Sequence, residues 1–203
     1  MKNQLLFFLL ISSFLSCKTQ VEKEEINSIS EIIIDTVEVD KKDLKLNQLE
    51  GKWYYKNEPF NGFAVTFHNN GKLENKIGYH KGKKEGIAKK WYNDGTLRIE
   101  SFYHQNRKVN TYKTWWSNGI LQSEAFYVNG FVEGIERKWF RNGQLSKERT
   151  LEKGQEKGMQ KAWLQNGKIY VNYEAKNGRK FGLQRANLCY QLKDEKIEEA
   201  KRN

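Results

Sequence analysis

The sequence predicts an all-β fold: an elongated, single-layer antiparallel β-meander of about five 24-residue hairpin repeats, with a short N-terminal tether and a C-terminal tail. Three observations predict it. A glycine preceded by asparagine or aspartate recurs at Gly71, Gly95, Gly119, Gly143 and Gly167, always 24 residues apart. An aromatic column (Phe67, Trp91, Trp115, Trp139, Trp163) and an aliphatic column (Leu73, Leu97, Leu121, Leu145, Ile169) run in phase with it. The composition, 13% aromatic and 30% charged with a single proline, suits a thin sheet whose rings pack while its lysine heads stay wet. Several columns sharing one period are the signature of a repeat architecture.

Taken in chain order, residues 1–16 read as an export signal. Lys2 supplies a basic start, Leu5 to Ile11 an apolar run too short to span a bilayer, and small residues follow. The run ends in Phe14-Leu15-Ser16-Cys17, which resembles a bacterial lipoprotein cleavage box, with Phe14 departing from the usual aliphatic residue. That resemblance implies cleavage before Cys17, a diacylglycerol thioether on its sulfur and an acylated amine. More than one acyl chain gives a firm anchor. An ordinary signal peptide with a cysteine near its end is the alternative. Lys18 rather than aspartate follows the cysteine, which by the same resemblance implies sorting to the outer membrane. The only other cysteine, Cys189, sits between Leu188 and Tyr190 and reads as a small apolar core residue, so no disulfide framework is expected.

Residues 17–48 are polar and charged, broken by Ile32-Ile33-Ile34 and by Val37 and Val39, and read as a flexible tether with room for one strand. Residues 49–190 hold the array. Asn-Gly between runs rich in Trp, Tyr and Leu signals a hairpin, and a two-residue type I′ turn there requires positive φ at both central positions. A second glycine column (Gly62, Gly86, Gly134, Gly158, Gly182) is filled by Asn110, and a third (Gly82, Gly130, Gly154, Gly178) by Asn106. Asparagine is the best substitute for glycine where φ is positive. A two-residue loop at Asp94-Gly95 sets Tyr92 opposite Leu97, Trp91 opposite Arg98 and Lys89 opposite Glu100. The same register sets Lys113 against Glu124 and Arg137 against Glu148, structural ion pairs worth some tenths of a kcal/mol each. Residues 191–203 are highly charged and read as a short helix or a frayed tail.

The pattern Gly-x4-Trp-Tyr-x-Asn-Gly-x-Leu-x2-Glu-x2-Tyr, carried by Gly86 to Gly95, Leu97, Glu100 and Tyr103, resembles the bacterial MORN-type variant repeats of YwqK-type antitoxin-like proteins and of many lipoproteins. Trp53-Tyr54-Tyr55 followed by Glu58 to Gly62 looks like the half-unit that opens such arrays. The resemblance covers roughly residues 49 to 190. It implies an extended meander, no catalysis, and contacts with protein or membrane; the antitoxin label implies neutralising a toxin.

Nothing in the sequence points to catalysis, a cofactor or a metal. His68, His80 and His104 are the only histidines, and no Cys-x2-Cys, His-Glu-x2-His or phosphate-binding glycine loop occurs. Charge is uneven. Lys18 to Lys56 carries 7 bases and 9 acids, or −2, whereas Glu58 to Gly182 carries 23 bases and 12 acids, or +11. The basic body serves solubility or an anionic partner. Three binding readings follow. The first is a protein–protein scaffold at the cell envelope, using Trp91, Trp115, Trp139 and Trp163 as its surface. The second is an anionic lipid or glycan surface binder, and the third an immunity-like protein blocking a secreted toxin. Nucleic acid is not expected as a partner, because export removes it. Replacing Cys17 with Ser is expected to move the protein from the membrane to the soluble fraction, read by fractionation and blotting; unchanged membrane fractionation would refute the lipid anchor.

Overall fold

The computed structural model describes residues 32–184, together with the backbone of two short strands at 190–193 and 196–199. The chain divides into the units Met1–Ile34 and Asp35–Asn203, and the fold below is that of the second. Residues 1–16, expected to be an export signal, Cys17, the expected tether up to residue 31, and Cys189 lie outside the described residues.

Strands and turns alternate with no α-helix among the described residues. The first strands are β1 (Glu38–Asp40), β2 (Lys45–Asn47), β3 (Lys52–Tyr55) and β4 (Glu58–Pro59), with one 3-10 turn, Lys41–Asp43, between β1 and β2. The array follows as β5 (Gly62–Phe67), β6 (Leu73–His80), β7 (Lys83–Trp91), β8 (Leu97–His104) and β9 (Arg107–Trp115). It continues through β10 (Leu121–Val128), β11 (Phe131–Trp139), β12 (Leu145–Glu152), β13 (Gln155–Trp163), β14 (Ile169–Lys176) and β15 (Arg179–Leu183). Strands β5 to β15 pair in sequence order, each antiparallel to the last, and β1 adds in parallel to the outer edge of β5 to complete a 12-stranded sheet. The meander continues through β14 and β15, with the same register shift before Trp163 as in the earlier hairpins.

The turns differ from the sequence expectation in type, and the difference has a physical cause. At the five Asn/Asp-Gly sites only the glycine has positive φ; Asn70, Asp94, Asn118, Asn142 and Asn166 do not. The Gly95 N–H donates to the Tyr92 carbonyl and the Tyr92 N–H to the Thr96 carbonyl, and the other four sites repeat this pair of bonds. This is a three-residue loop, a type I turn closed by a left-handed glycine. The residue before the glycine is needed for its side chain. Asp94 Oδ1 accepts from the Thr96 N–H at 2.8 Å, and Asn70, Asn118, Asn142 and Asn166 make the equivalent bond. Type I′ turns occur instead at the opposite end of the hairpins, where Lys81-Gly82, Gln105-Asn106, Asn129-Gly130, Lys153-Gly154 and Asn177-Gly178 all have two consecutive positive φ values.

The loop of three does not spoil the ion-pair register, because a compensating residue follows. Trp91 pairs with Leu97, Arg98 bulges out, and Lys90 then pairs with Ile99, so Lys89 still meets Glu100. Trp91 therefore faces Leu97 rather than Arg98, a correction that puts the aromatic and aliphatic columns directly across from each other. The pairs Phe67–Leu73, Trp115–Leu121, Trp139–Leu145 and Trp163–Ile169 follow suit. The second glycine column is likewise not a set of turns. Gly86, Asn110, Gly134 and Gly158 are left-handed residues within strands, at irregularities in pairing to the preceding strand.

The N-terminal residues form a cap that the tether reading missed over 38–47. Strands β2, β3 and β4 make their own three-stranded sheet, so Trp53 to Glu58 is not a half-unit in line with the array. Val39, Leu44, Phe60, Ala64 and Tyr79 form the buried cluster, with Trp53, Tyr55 and Ile77 packed against it. Gly82 locks the cap on. Its N–H donates to the Phe60 carbonyl, its carbonyl accepts from the Trp53 N–H, and a Cβ there would lie 2.8 Å from the Trp53 carbonyl oxygen. At the other end, β16 (Tyr190–Lys193) and β17 (Lys196–Glu199) pair as a hairpin, in place of the expected helix or frayed tail.

Gly119 has φ +80 with open space around its α-carbon, so backbone conformation alone decides what a side chain costs there. Gly119→Val is expected to lower stability by about 1–2 kcal/mol and Gly119→Asn by clearly less, measured by urea unfolding. Equal losses for the two would contradict the left-handed assignment.

Candidate interaction surface

Successive residues of a strand point to opposite faces, so the register assigns each side chain to one of two. The first face carries three bands. Nearest the three-residue loops lies the Trp–Leu band described above. Trp91, Trp115, Trp139 and Trp163 are only partly exposed in it.

The middle band is a continuous row of charge. Lys89, Glu100, Lys113, Glu124, Arg137, Glu148 and Lys161 pair one after another across seven strands, β7 to β13. Within hairpins, Lys89 Nζ lies 3.1 Å from Glu100 Oε2, Lys113 Nζ 3.2 Å from Glu124 Oε1, and Arg137 Nε 2.8 Å from Glu148 Oε2. Each glutamate also has a base on its far side, supplied by the next hairpin. The alternation starts at Lys89, whose neighbour on β6 is another base, Lys76, itself ion-paired with Glu38 of β1, and it ends where Asn172 follows Lys161.

The third band lies toward the type I′ turns and was not found by reading columns. Phe126, Val128 and Phe131 on β10 and β11, Ile135 beside them, and Met159 and Phe181 further along all lie on this face. Phe131 is 58% exposed and Phe126 46%, well above the tryptophans. The centre of the band is the β10–β11 turn, where Val128 pairs with Phe131. Equivalent positions in other repeats are His80, His104, Glu152 and Lys176 for Val128, and Lys83, Arg107, Gln155 and Arg179 for Phe131. Periodicity could not find a patch that departs from the period. The signal available was the departure itself: an apolar pair where the other repeats are polar.

The loops are tied to one another as well. His68 Nε2 lies 3.0 Å from the Trp91 carbonyl, the Tyr92 hydroxyl donates to the Trp115 carbonyl at 2.9 Å, and Trp116 Nε1 donates to the Trp139 carbonyl at 3.2 Å. Phe140 and Leu164 hold the same column and have no polar atom to continue the series. His80 and His104 are held by Asn61 and by the buried Glu85. No group of three His, Cys, Asp or Glu side chains is arranged to hold a metal among the described residues, and none of their helices is long and apolar enough to cross a membrane.

The geometry is that of an antiparallel hairpin-repeat sheet with a surface for contact. Three consecutive stretches, 84–105, 108–129 and 132–153, match the family model described as the MORN repeat variant. Each match covers one long hairpin about a three-residue loop, β7–β8, β9–β10 and β11–β12, and over these stretches the chain is similar to that family. No curated protein matches the chain.

The charge pairs are partly exposed, so each is worth little alone. A double-mutant cycle on Lys113→Met and Glu124→Leu is expected to give a coupling of about 0.5–1 kcal/mol that shrinks in high salt. No coupling at low salt would show that the row is decorative.

Proposed function

We propose that this chain is a non-enzymatic cell-envelope lipoprotein acting as a protein–protein interaction scaffold, with the β10–β11 apolar patch as its docking point. One observation carries the binding half of this reading: large apolar side chains stand exposed and adjacent at the one turn where the other repeats are polar. Contiguous exposed apolar surface with a charged border is a common mark of a partner site, and aromatic side chains contribute most of the binding energy at such sites. The Trp–Leu band supplies a rigid flank, because each indole is braced by an aliphatic partner across the strand.

The envelope half rests on the N-terminal sequence, with Cys17 as the lipid-attachment residue and the outer membrane as destination. MORN repeats often mediate protein or membrane contact, which agrees with a binding role. The exposure of phenylalanine, valine and isoleucine within this patch favours protein over a purely ionic ligand.

The patch is testable directly. A pull-down of the mature protein from envelope extract, at low and physiological salt, is expected to retain a partner in both conditions. Phe131→Asp is expected to remove it while leaving the unfolding midpoint within about 1 kcal/mol of the parent. Retention of the same partner by a folded Phe131→Asp protein, or loss of all partners at physiological salt, would overturn the reading.

A further inference from the structure

The second face of the sheet holds a row of tyrosines and lysines across the first repeats, unrelated to the apolar patch; the equivalent Lys180 near the far edge also lies on a tyrosine, Tyr173, but is ion-paired with Glu156. Tyr79 pairs with Lys84, Tyr103 with Lys108, and Tyr127 stands at the next position of the same tyrosine column. Phenols and ammoniums thus alternate across β6 to β10. Lys84 Nζ lies 5.2 Å from the Tyr103 ring centre, and Lys108 Nζ lies 4.3 Å from that of Tyr112 and 5.2 Å from that of Tyr127. Lys41, from the 3-10 turn, closes the row, with its Nζ 2.8 Å from the Trp53 ring centre and 3.0 Å from the Tyr79 hydroxyl.

Among the described residues, none of these three ammoniums has a carboxylate within 4.0 Å, whereas on the other face Lys89 and Lys113 each have a glutamate within about 3.2 Å. Glu136, near Tyr127, is already held by Arg149 and Lys138. The side chains of Lys84, Lys108, Tyr103, Tyr112 and Tyr127 are all partly buried. Burial first, and neighbouring lysines second, push Lys84 and Lys108 below the usual lysine range and Lys41 down to about 7. Charged groups held this way gain from an incoming anion, because it restores the interaction that burial removed.

We infer that this tyrosine–lysine row is a binding site for an extended acidic peptide of the Glu-x-x-Glu type. Charge complementarity gives the sign of the ligand, and strand spacing gives its repeat. Lys84 and Lys108 are equivalent positions two strands apart, which separates them by about 9–10 Å. A polyproline II segment repeats one face every three residues, about 9.3 Å, and so presents a carboxylate to each lysine with Tyr103 under the residues between. A β-strand repeats each face at about 7 Å and falls out of step. A flat anionic bilayer meets sunken ammoniums poorly, whereas projecting glutamates reach between the rings.

The test uses the full chain and the synthetic peptide acetyl-Glu-Pro-Pro-Glu-Pro-Pro-Glu-amide, with titration calorimetry as readout. Binding is expected, with at least a tenfold loss for K84M, for K108M and for the peptide with glutamine at all three glutamates. K168M, a change at an exposed turn, is expected to bind as the parent does. Unfolding midpoints establish that each variant is folded, and K84M and K108M are expected to be at least as stable as the parent. Several results would overturn the site: equal binding of the glutamine peptide, equal loss in K168M, unchanged binding in folded K84M and K108M, or lysine-dependent binding of phosphatidylglycerol vesicles without peptide binding. This site lies on the other face from the β10–β11 patch, so its failure leaves the proposed docking point untouched.

Discussion

Each hairpin takes a loop of three residues and then sets one residue aside in the descending strand, and the two offsets cancel. Without the bulge at Arg98, Glu100 would slip by one position and its side chain would turn to the opposite face. With it, Glu100, Glu124 and Glu148 each stand between two bases on one level of the sheet. Leu97 is brought across from Trp91 by the same offset. Ionic row and aromatic band are therefore two results of one backbone device, and both depend on a glycine that adopts left-handed dihedrals at low cost.

The two faces solve burial differently. The charge-row face neutralises its lysines with acids supplied by neighbouring strands. The second face relies on small side chains, with Ala88, Ser101, Ala125 and Ala162 buried, on tyrosines that cover the first repeats, and on ion pairs in the later ones, at Glu136–Arg149 and Glu156–Lys180. A thin sheet has little interior, so the compact apolar cluster is built by the cap at its N-terminal edge, where Tyr79 meets Phe60 and Trp53. The cap also shields part of an edge strand: β1 pairs with Phe63 to Val65 of β5 and covers that stretch of its outer edge.

The strand count of a repeat, the 24-residue period and the Lys89–Glu100 register were legible in the sequence because they recur. The type of each turn was not. Asn-Gly is compatible with a type I′ turn and with a type I turn closed by glycine, and the choice is made by the Asp94 carboxylate bond to Thr96, which sequence spacing does not reveal. The role of Gly86 as a bulge was hidden because a left-handed residue looks the same in a turn and in a strand. The cap was missed because Val39 and Leu44 are isolated apolar residues in a charged stretch, and their burial depends on Phe60 and Tyr79 far along the chain. The exposed patch at Phe131 and the lysine row at Lys84 were also missed. The first is a departure from the period, and the second recurs over too few units to stand out, with Val132 and Leu151 breaking its two columns.

The alternating row has a consequence for how such an array could change its length. Base and acid follow one another with the same period as the repeat itself, so excising or duplicating one whole 24-residue unit within the row leaves the order of signs intact. No like-charged neighbours are created at the junction, and the loops rejoin through the same backbone bonds. Copy number is thereby uncoupled from electrostatic fit: recombination between units within the row can lengthen or shorten the sheet without changing the charge order.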